Sequence, residues 1–496
     1  MREGSCASGF PVTLGNRTSI TRSLSYMKLS PLTFAFVLAL HPVFSEQPNI
    51  VIMLADDAGY SDFGCFGGQA KTPNIDQLAE EGMRFTDLHA AAPNCSPSRT
   101  GLLTGRYPSR VGVFSYLPQP ENGVPHPMHL PDSEITLAEI LGAEGYQTAH
   151  FGKWHLSGYG TDQPQPLDQG FDYSFGTSSN ARPSHLNPDN FHRNGKPLGI
   201  IEGYACQIVV DDAIQWLEKR KGDDPFFLYV AFQEPHTPIA SPPEMVAQYN
   251  FDSKRNEYLA NIQNLDDAAG RLVARLDELG LGEETLVMFT SDNGSLHDAS
   301  NGGFRGQKSM VFEGGIREPG VIRWKGKIEA GSVCYATLNF VDMVPTICSI
   351  TGVPLPDDRT IDGVDFSPVL FGESWSRSKP LLWYFYRSIA GSGQRAQGIT
   401  QQMPAGAFRK GDWVLLGYLR HNEMPSTHAM VASDMDFIRE STWDWFELYN
   451  LRTDRSQRHD VAIENRDLVD RLSREMTAVH RDMIAEAPYW EWPDAE

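Results

Sequence analysis

The chain has 496 residues, and its 42 Lys and Arg against 63 Asp and Glu give a formal net charge of −21. This acidic balance argues against a protein that binds nucleic acid or an anionic membrane surface, because both need a surplus of cations. Hydrophobic residues make up 41% and charged residues 21%, which excludes a disordered chain and allows one large α/β domain plus a smaller one.

The first 45 residues are predicted to be a leader rather than part of the fold. Met27-Lys28 precede an apolar run from Pro31 to Phe44, and the run ends at Ser45 in residues that suit a signal-peptide cleavage site. The run is too short for a comfortable membrane span. We therefore expect an exported protein, periplasmic or secreted, without stable membrane insertion. A buried N-terminal helix is the alternative.

The cysteine count leaves the disulfide pairing open. Cys6 belongs to the leader, and an odd number of cysteines remains for an exported protein, so at least one thiol should be unpaired or have a special role. No CxxC pair is present, which argues against a thiolate zinc site. The remaining cysteines are Cys65, Cys95, Cys206, Cys334 and Cys348.

Strand and helix patterns alternate through the first three quarters of the chain. Short apolar runs predict buried strands at residues 49–54, 147–151, 225–232 and 285–290. Helical patterns lie at residues 74–82, 136–145, 210–221 and 265–279. This alternation predicts an α/β fold, with a large, mostly parallel sheet and helices on both faces.

Two other regions do not follow this alternation of strand and helix patterns. Residues 180–203 are rich in Pro, Asn, His and Arg, which indicates either a substrate-facing insertion or a solvated loop. Residues 381–386, 407–416 and 446–451 predict antiparallel strands, and residues 466–485 predict a helix. We therefore predict a leader at 1–45, a catalytic domain at 46–375 and a smaller domain at 376–496.

Each predicted strand of the large sheet is followed by polar residues of metal-ligand or acid–base type. Ligands of open α/β sheets bind beyond the carboxyl ends of the strands, so these residues are expected to meet. A single cluster is equally well explained by an ordinary loop or helix cap, whereas four together predict one site. In chain order the residues are Asp56 and Asp57, Lys153 and His155, His236, and Asp292 and Asn293.

The carboxylate and amide side chains of this set predict a metal site. Asp56, Asp57, Asp292 and Asn293 offer only hard oxygen ligands, which suit Ca²⁺ or Mg²⁺ rather than a soft metal. A turn or a helix cap is the alternative reading of the adjacent aspartates.

Cys95 lies in the segment 94–106, NCSPSRTGLLTGR. Pro97 suits the first turn of a helix, so we expect Cys95 just before a helix N-terminus. The positive end of the helix dipole would then favour a low-pKa thiolate. A small buried cysteine in a strand-to-helix turn is the alternative.

Residues 95–106 match the signature Cys-x-Pro-Ser-Arg-x-x-x-Leu-Thr-Gly-Arg throughout, and with it the chain resembles the type I sulfatases. Further matching motifs are residues 152–155 (GKWH), 234–236 (EPH), 291–294 (SDNG), 305–308 (RGQK), 313–317 (EGGIR) and 447–451 (ELYNL). The resemblance runs from residue 47 to the C-terminus. The chain resembles the arylsulfatase and N-acetylgalactosamine-6-sulfatase types, and residues 95–113 are particularly similar to the lysosomal N-acetylgalactosamine-6-sulfatases and their bacterial relatives.

The resemblance implies an alkaline-phosphatase-like fold and a specific chemistry. In this family the cysteine, here Cys95, is oxidised to formylglycine (3-oxoalanine) by a maturation enzyme, and the aldehyde hydrate is the nucleophile. One Ca²⁺ would be held by the four oxygen ligands named above and completed by the side chain at position 95 and by the substrate sulfate.

Roles for the remaining residues are also implied by the resemblance. Lys153 and Lys308 would bind sulfate oxygens, and Arg99 would hold the nucleophile or the metal-bound carboxylates. His155 would take the proton of the second hydrate hydroxyl, while His236, with Lys308, would protonate the leaving alcohol. Asn180 is a further candidate for sulfate binding. The alternatives are solvated lysines, a structural ion pair for Arg99 and a turn residue at 180.

The predicted function is hydrolysis of sulfate esters on a sulfated polysaccharide or glycosaminoglycan fragment, with loops 114–130, 178–200 and 296–305 stacking on sugar rings. A phosphatase or phosphodiesterase of the same superfamily is one alternative, which the cysteine and the single oxygen-rich metal set disfavour. A non-catalytic, calcium-dependent carbohydrate-binding protein is another. Because the chain is so acidic, recognition of an anionic substrate must be local.

Overall fold

The computed structural model describes residues 47–118, 126–158, 161–297, 300–387, 404–421 and 430–492. All of them fall in one compact unit. The predicted leader lies outside the described residues. The domain boundary predicted between residues 375 and 376 stays a prediction.

A large mixed sheet of eleven strands forms the centre of the described structure. The strands are β1 (Asn49–Ala55), β2 (Met83–His89), β3 (Gln147–Lys153), β4 (Tyr173–Thr177), β5 (His192–Arg193), β6 (Lys196–Pro197), β7 (Phe226–Ala231), β8 (Thr285–Ser291), β9 (Arg317–Arg323), β10 (Ser332–Cys334) and β11 (Leu338–Asn339). Five strands in the middle of the sheet, β8-β1-β7-β3-β4, run parallel, and β9 and β2 continue the sheet on one side in antiparallel and mixed pairings.

Helices cover both faces of this sheet, as predicted. Successive side chains of a strand point to opposite faces, and β1 accordingly divides its residues between two hydrophobic cores, with Ile50 and Ile52 on one face and Val51 and Met53 on the other. The helices are α1 (Pro73–Glu81), α2 (Cys95–Thr104), α3 (Pro108–Val111), α4 (Leu137–Ala143), α5 (Ala205–Lys219), α6 (Pro243–Val246), α7 (Ser253–Glu278), α8 (Glu313–Ile316), α9 (Met343–Thr351), α10 (Ser367–Leu370), α11 (Ser433–Glu440) and α12 (Arg466–Glu486).

A second, antiparallel sheet of four strands is built from the C-terminal quarter of the chain, and its strands lie side by side in chain order. One of its faces packs on α12, and the other packs on Met310, Val311 and Phe312. Through the latter contact the small sheet supports the loop that carries Lys308. The strands are β12 (Leu381–Phe385), β13 (Ala405–Lys410), β14 (Trp413–Arg420) and β15 (Thr442–Asn450).

The predicted elements are present, with shifted ends. Helix α7 begins at Ser253, twelve residues before the predicted start at residue 265, because Asp252 caps it by accepting from the backbone N–H groups of Lys254 and Arg255. Residues 407–416, predicted as one strand region, belong to two strands, β13 and β14, which form a hairpin that turns at Gly411. Strands β2 and β9 were not predicted, since their polar residues hide the strand pattern.

The described residues give two observations that bear on the predicted export, one on the cysteines and one on membrane-spanning helices. All five cysteines beyond the leader are free thiols there, four of them buried. None of the described helices combines the length and the apolar composition that a membrane span requires.

Candidate active site

The carboxyl ends of four parallel strands bring the predicted residues to one place. Asp56 and Asp57 follow β1, and Asp292 and Asn293 follow β8, its hydrogen-bonded neighbour. Lys153 is the last residue of β3, with His155 two residues on, and His236 follows β7. Helix α2 adds Cys95 and Arg99 from the side.

An acidic cluster forms the floor of this site. Ligating atoms of Asp56, Asp57, Asp292 and Cys95 all lie within 4.8 Å of one another. The backbone N–H of Asp57 donates to Asp292 Oδ1 at 3.1 Å, and Asn293 Nδ2 donates to Asp57 Oδ1 at 2.7 Å. Oδ1 of Asp56 and Oδ1 of Asn293 are buried without a hydrogen-bond partner in the described structure. This set of converging hard oxygens fits a divalent cation such as Ca²⁺ or Mg²⁺.

Three cations hold the cluster together. Arg99, which is fully buried, donates from Nε and Nη2 to Asp292 Oδ2 at 3.0 and 2.8 Å, and from Nη1 to the carbonyl of Lys153 at 2.8 Å. Lys153 Nζ contacts Asp56 Oδ2 at 2.6 Å, and Lys308 Nζ contacts both oxygens of Asp57 at 2.6 and 2.7 Å. Each acid therefore has its own cation.

Burial and these cations move the pKa values of the carboxyl groups in different directions. Burial alone would raise the pKa of Asp56, but the charges of Lys153, His236 and Arg99 bring it well below its ordinary value. Burial together with the charge of Asp56 raises the pKa of Asp292 to about 7, because Arg99 offsets them only in part. Desolvation of a charged group always favours its neutral form.

Cys95 is the first residue of α2, not the residue before it, and is 2% exposed. Its Sγ lies 3.4 Å from Lys308 Nζ and 3.9 Å from Asp57 Oδ1. The expectation of a low-pKa thiolate is wrong. Burial, with the charges of Asp292 and Asp56, outweighs the two lysines and raises the pKa of the thiol to about 12.

Lys153 and Asn180 are joined by a hydrogen bond between their side chains, although the sequence left the position of Asn180 open. Lys153 Nζ donates to Asn180 Oδ1 at 2.8 Å as well as to Asp56. Lys153 is fully buried, whereas Asn180 is half-buried and lies after β4, the sheet neighbour of β3. The two side chains thus connect the floor of the site with its opening.

The two histidines occupy different environments. His155 is 7% exposed, and its Nε2 lies 2.8 Å from the carbonyl of Leu117, so this nitrogen carries the proton. Its Nδ1 is buried without a partner in the described structure and keeps a free lone pair. His236 is more open, with Nε2 3.5 Å from Asp57 Oδ2. Burial is the largest effect on both imidazoles and lowers their pKa values.

Three of the six described non-glycine residues with positive φ lie at this site. Asp57, His155 and Ser309 adopt positive φ angles of 67°, 57° and 70° although none of them is glycine. Such conformations cost on the order of 1–3 kcal/mol each and occur mainly at functional sites. Here they turn the chain just after β1, just after β3 and next to Lys308.

Sequence reasoning missed the contribution of residues 96 and 117. Ser96 Oγ accepts from the backbone N–H of Leu117 at 3.0 Å, and the carbonyl of Leu117 fixes the tautomer of His155. The hydroxyl of Ser96 next to Cys95 was visible in the sequence. Leu117 acts through its main chain, and its side chain therefore carries no signal of this role.

Comparison with known proteins gives consistent results. The family model described as Sulfatase matches residues 48–353. The N-acetylgalactosamine-6-sulfatase of Canis lupus familiaris is 35% identical over 373 residues, which cover 68% of this chain and 69% of that protein. Arylsulfatase A of Homo sapiens is also 35% identical, over 387 residues covering 72% and 74%. The crystal structure of Ps i-CgsB in complex with k-i-k-neocarrahexaose is 26% identical with a TM-score of 0.74, and covers 90% of this chain and 95% of that one.

Proposed function

The chain belongs to the sulfatase family and is a sulfate ester hydrolase, and we propose that it desulfates a carbohydrate through a formylglycine formed from Cys95. The observation that carries the proposal is the position of Cys95. Its Sγ lies at the first turn of α2, in contact with Lys308 and beside Asp57, among converging oxygen ligands. The hydrate of the formylglycine aldehyde would supply the hydroxyl that attacks sulfur.

Asp56, Asp57, Asp292 and Asn293 would hold one Ca²⁺, with the side chain at position 95 next to it. The two buried oxygens without hydrogen-bond partners in the described structure, Asp56 Oδ1 and Asn293 Oδ1, support this assignment. Carboxylate and amide oxygens are the ligands that Ca²⁺ prefers. A bound Ca²⁺ would neutralise charge on the sulfate oxygens.

The lysines and Asn180 are assigned to sulfate binding. A lysine ammonium has three donors. Among the described residues Lys153 uses two of them, on Asp56 and Asn180, and so keeps one for a sulfate oxygen. Lys308 lies beside Cys95 and is part-buried, so that its charge reaches both the nucleophile position and the opening. Arg99 holds Asp292 and the chain at Lys153 in place.

The two histidines divide the proton transfers. His155 donates through Nε2 to Leu117 and is neutral because of its burial, so its Nδ1 can accept a proton from the nucleophile side. His236 lies at the opening, where the alcohol would leave, and its contact with Asp57 offsets part of the burial that lowers the pKa of its imidazole. We assign the base role to His155 and the acid role to His236.

A sulfated saccharide is the proposed substrate, because the most similar curated relatives include N-acetylgalactosamine-6-sulfatases and a similar solved structure holds k-i-k-neocarrahexaose. The second partner is a formylglycine-generating maturation enzyme that oxidises Cys95. The leader composition supports export to the periplasm or beyond.

Mass spectrometry of the peptide that contains Cys95 tests the proposal most directly. In protein coexpressed with a maturation enzyme the peptide should be about 18 Da lighter than with an intact thiol, as expected when –CH₂SH becomes –CHO. The same preparation should release sulfate from an aryl sulfate faster than phosphate from an aryl phosphate, and Cys95→Ala should release neither. An intact thiol in an active preparation would contradict the mechanism, and a clear preference for the phosphate would contradict the assigned substrate class.

A further inference from the structure

Arg387 differs from every other buried arginine in the described part of the chain. Seven arginines are buried there, and six of them have a carboxylate oxygen 2.6 to 2.9 Å away. Arg387 has no carboxylate partner among the described residues, although it is only 5% exposed. The six paired residues are Arg99, Arg106, Arg110, Arg317, Arg323 and Arg409.

The guanidinium of Arg387 is held by weak contacts only. Its Nη1 lies 3.5 Å from Ser115 Oγ, its carbon Cζ lies 5.0 Å from the centre of the Tyr116 ring, and its Nε is buried without a hydrogen-bond partner. A guanidinium is always ionised, and burial of an ion is costly unless an anion compensates it. The aromatic contact offsets only part of that cost.

The described part of the chain does not offer the missing anion, since none of its ion pairs involves Arg387. The protein as a whole has 21 more acids than bases. A positive charge that is buried without an acid among the described residues fits an anionic partner from outside the chain. Because a guanidinium presents a planar fork of donors, that partner should carry a carboxylate or a sulfate group.

Arg387 is also close to the candidate active site. Ser115 and Tyr116, which contact it, immediately precede Leu117, whose carbonyl accepts from His155 and whose N–H donates to Ser96 Oγ. Two residues of extended chain span at most about 7 Å, so Arg387 and His155 flank the same short segment.

We propose that Arg387, stacked on Tyr116, binds a second acidic group of the saccharide substrate while the ester to be cleaved lies at Cys95. This group is a uronate carboxylate or a sulfate ester that does not react. The assignment rests on the proposed function and adds to it a substrate class, a saccharide with two acidic groups. Arg387 then determines specificity and takes no part in the chemical step.

The test compares kcat/KM on three sulfated substrates of the matured enzyme: one with a single sulfate, one with a second sulfate on the same sugar, and one linked to a uronate. We expect the wild type to prefer one or both diacidic substrates. Arg387→Gln should reduce the ratio of diacidic to monosulfated kcat/KM by about 10- to 150-fold, the usual value of hydrogen bonds to a charged group. Arg387→Lys should reduce it less, since the charge remains without the planar fork.

Arg420→Gln is the matched control, because Arg420 is an exposed arginine of β14, paired with Asp444, and its loss should leave the ratio unchanged. An unchanged ratio of diacidic to monosulfated kcat/KM in Arg387→Gln would overturn the proposal. A wild type that shows no preference for a diacidic substrate would also overturn it, and this measurement does not depend on whether the variant folds. Which diacidic substrate responds identifies the acidic group. If the wild type released sulfate from none of the three substrates, that result would instead contradict the proposed function.

Discussion

Replacement of Asn180 separates a substrate-binding role from a structural one. Asn180 Oδ1 accepts one proton of Lys153 Nζ at 2.8 Å, and Asp56 Oδ2 accepts a second at 2.6 Å. Asn180→Ala leaves the ammonium with Asp56 alone, so that it is no longer held toward the opening. A hydrogen bond to a charged group contributes about 1.5–3 kcal/mol, so we expect kcat/KM to fall roughly 10- to 150-fold.

Asn180→Asp makes the opposite change to the same contact. It keeps an acceptor for Lys153 but adds a negative charge beside the incoming sulfate. For two unit charges about 5 Å apart at an effective dielectric constant of about 20, the repulsion is about 3 kcal/mol. The aspartate variant should therefore lose at least as much kcat/KM as the alanine variant, while its thermal stability stays at or above that of Asn180→Ala.

The assay is sulfate release under kcat/KM conditions, with each rate divided by the formylglycine content of that preparation and with Tm measured in parallel. A purely structural Asn180 would give the reverse order, since aspartate preserves the Lys153 contact. An aspartate variant with wild-type kcat/KM would refute the assignment of Asn180 and Lys153 to sulfate binding.

Three further predictions concern the metal, the ion network and pH. Chelation with EDTA should abolish activity and lower Tm, and added Ca²⁺ should restore both. Ca²⁺ at 100 times its Kd should stabilise the folded protein by about 2.7 kcal/mol. Activity that survives full chelation would contradict the metal assignment. Arg409 is buried against Asp87 where the two sheets meet, and Arg409→Met should lower the free energy of unfolding by about 3–5 kcal/mol. The exposed pair is the control, since Arg420→Met should lower it by less than about 1 kcal/mol. Urea unfolding measures both changes, and equal losses would contradict the importance of burial. Burial lowers the pKa of His480 to about 4, so the unfolded chain takes up this proton first and stability should fall as the pH drops from about 6.5 toward 4. His480→Gln should remove up to about 2 kcal/mol of that loss between pH 7 and 5, and an unaltered pH dependence would show that His480 is not its source.

The ends of the parallel strands were readable from the sequence because a buried strand is a continuous apolar run and its first polar residues mark the sheet edge. Asp56, Asp57, Lys153, Asp292 and Asn293 all followed from that rule. The motif around Cys95 identified the family, and its residues 95–104 form the helix α2 beside the site.

Tertiary structure alone decided the properties that depend on partners distant in the chain. The carbonyl of Leu117 selects the tautomer of His155 from 38 residues away, and the contact of Asn180 with Lys153 follows from the pairing of β4 with β3. Burial reversed the expected acidity of Cys95, because desolvation exceeds the effect of a helix N-terminus. Sequence therefore determined which groups reach the strand ends. Only packing determined how each group is protonated, and that Arg387 is buried without a carboxylate partner among the described residues, because both depend on how far surrounding atoms exclude water.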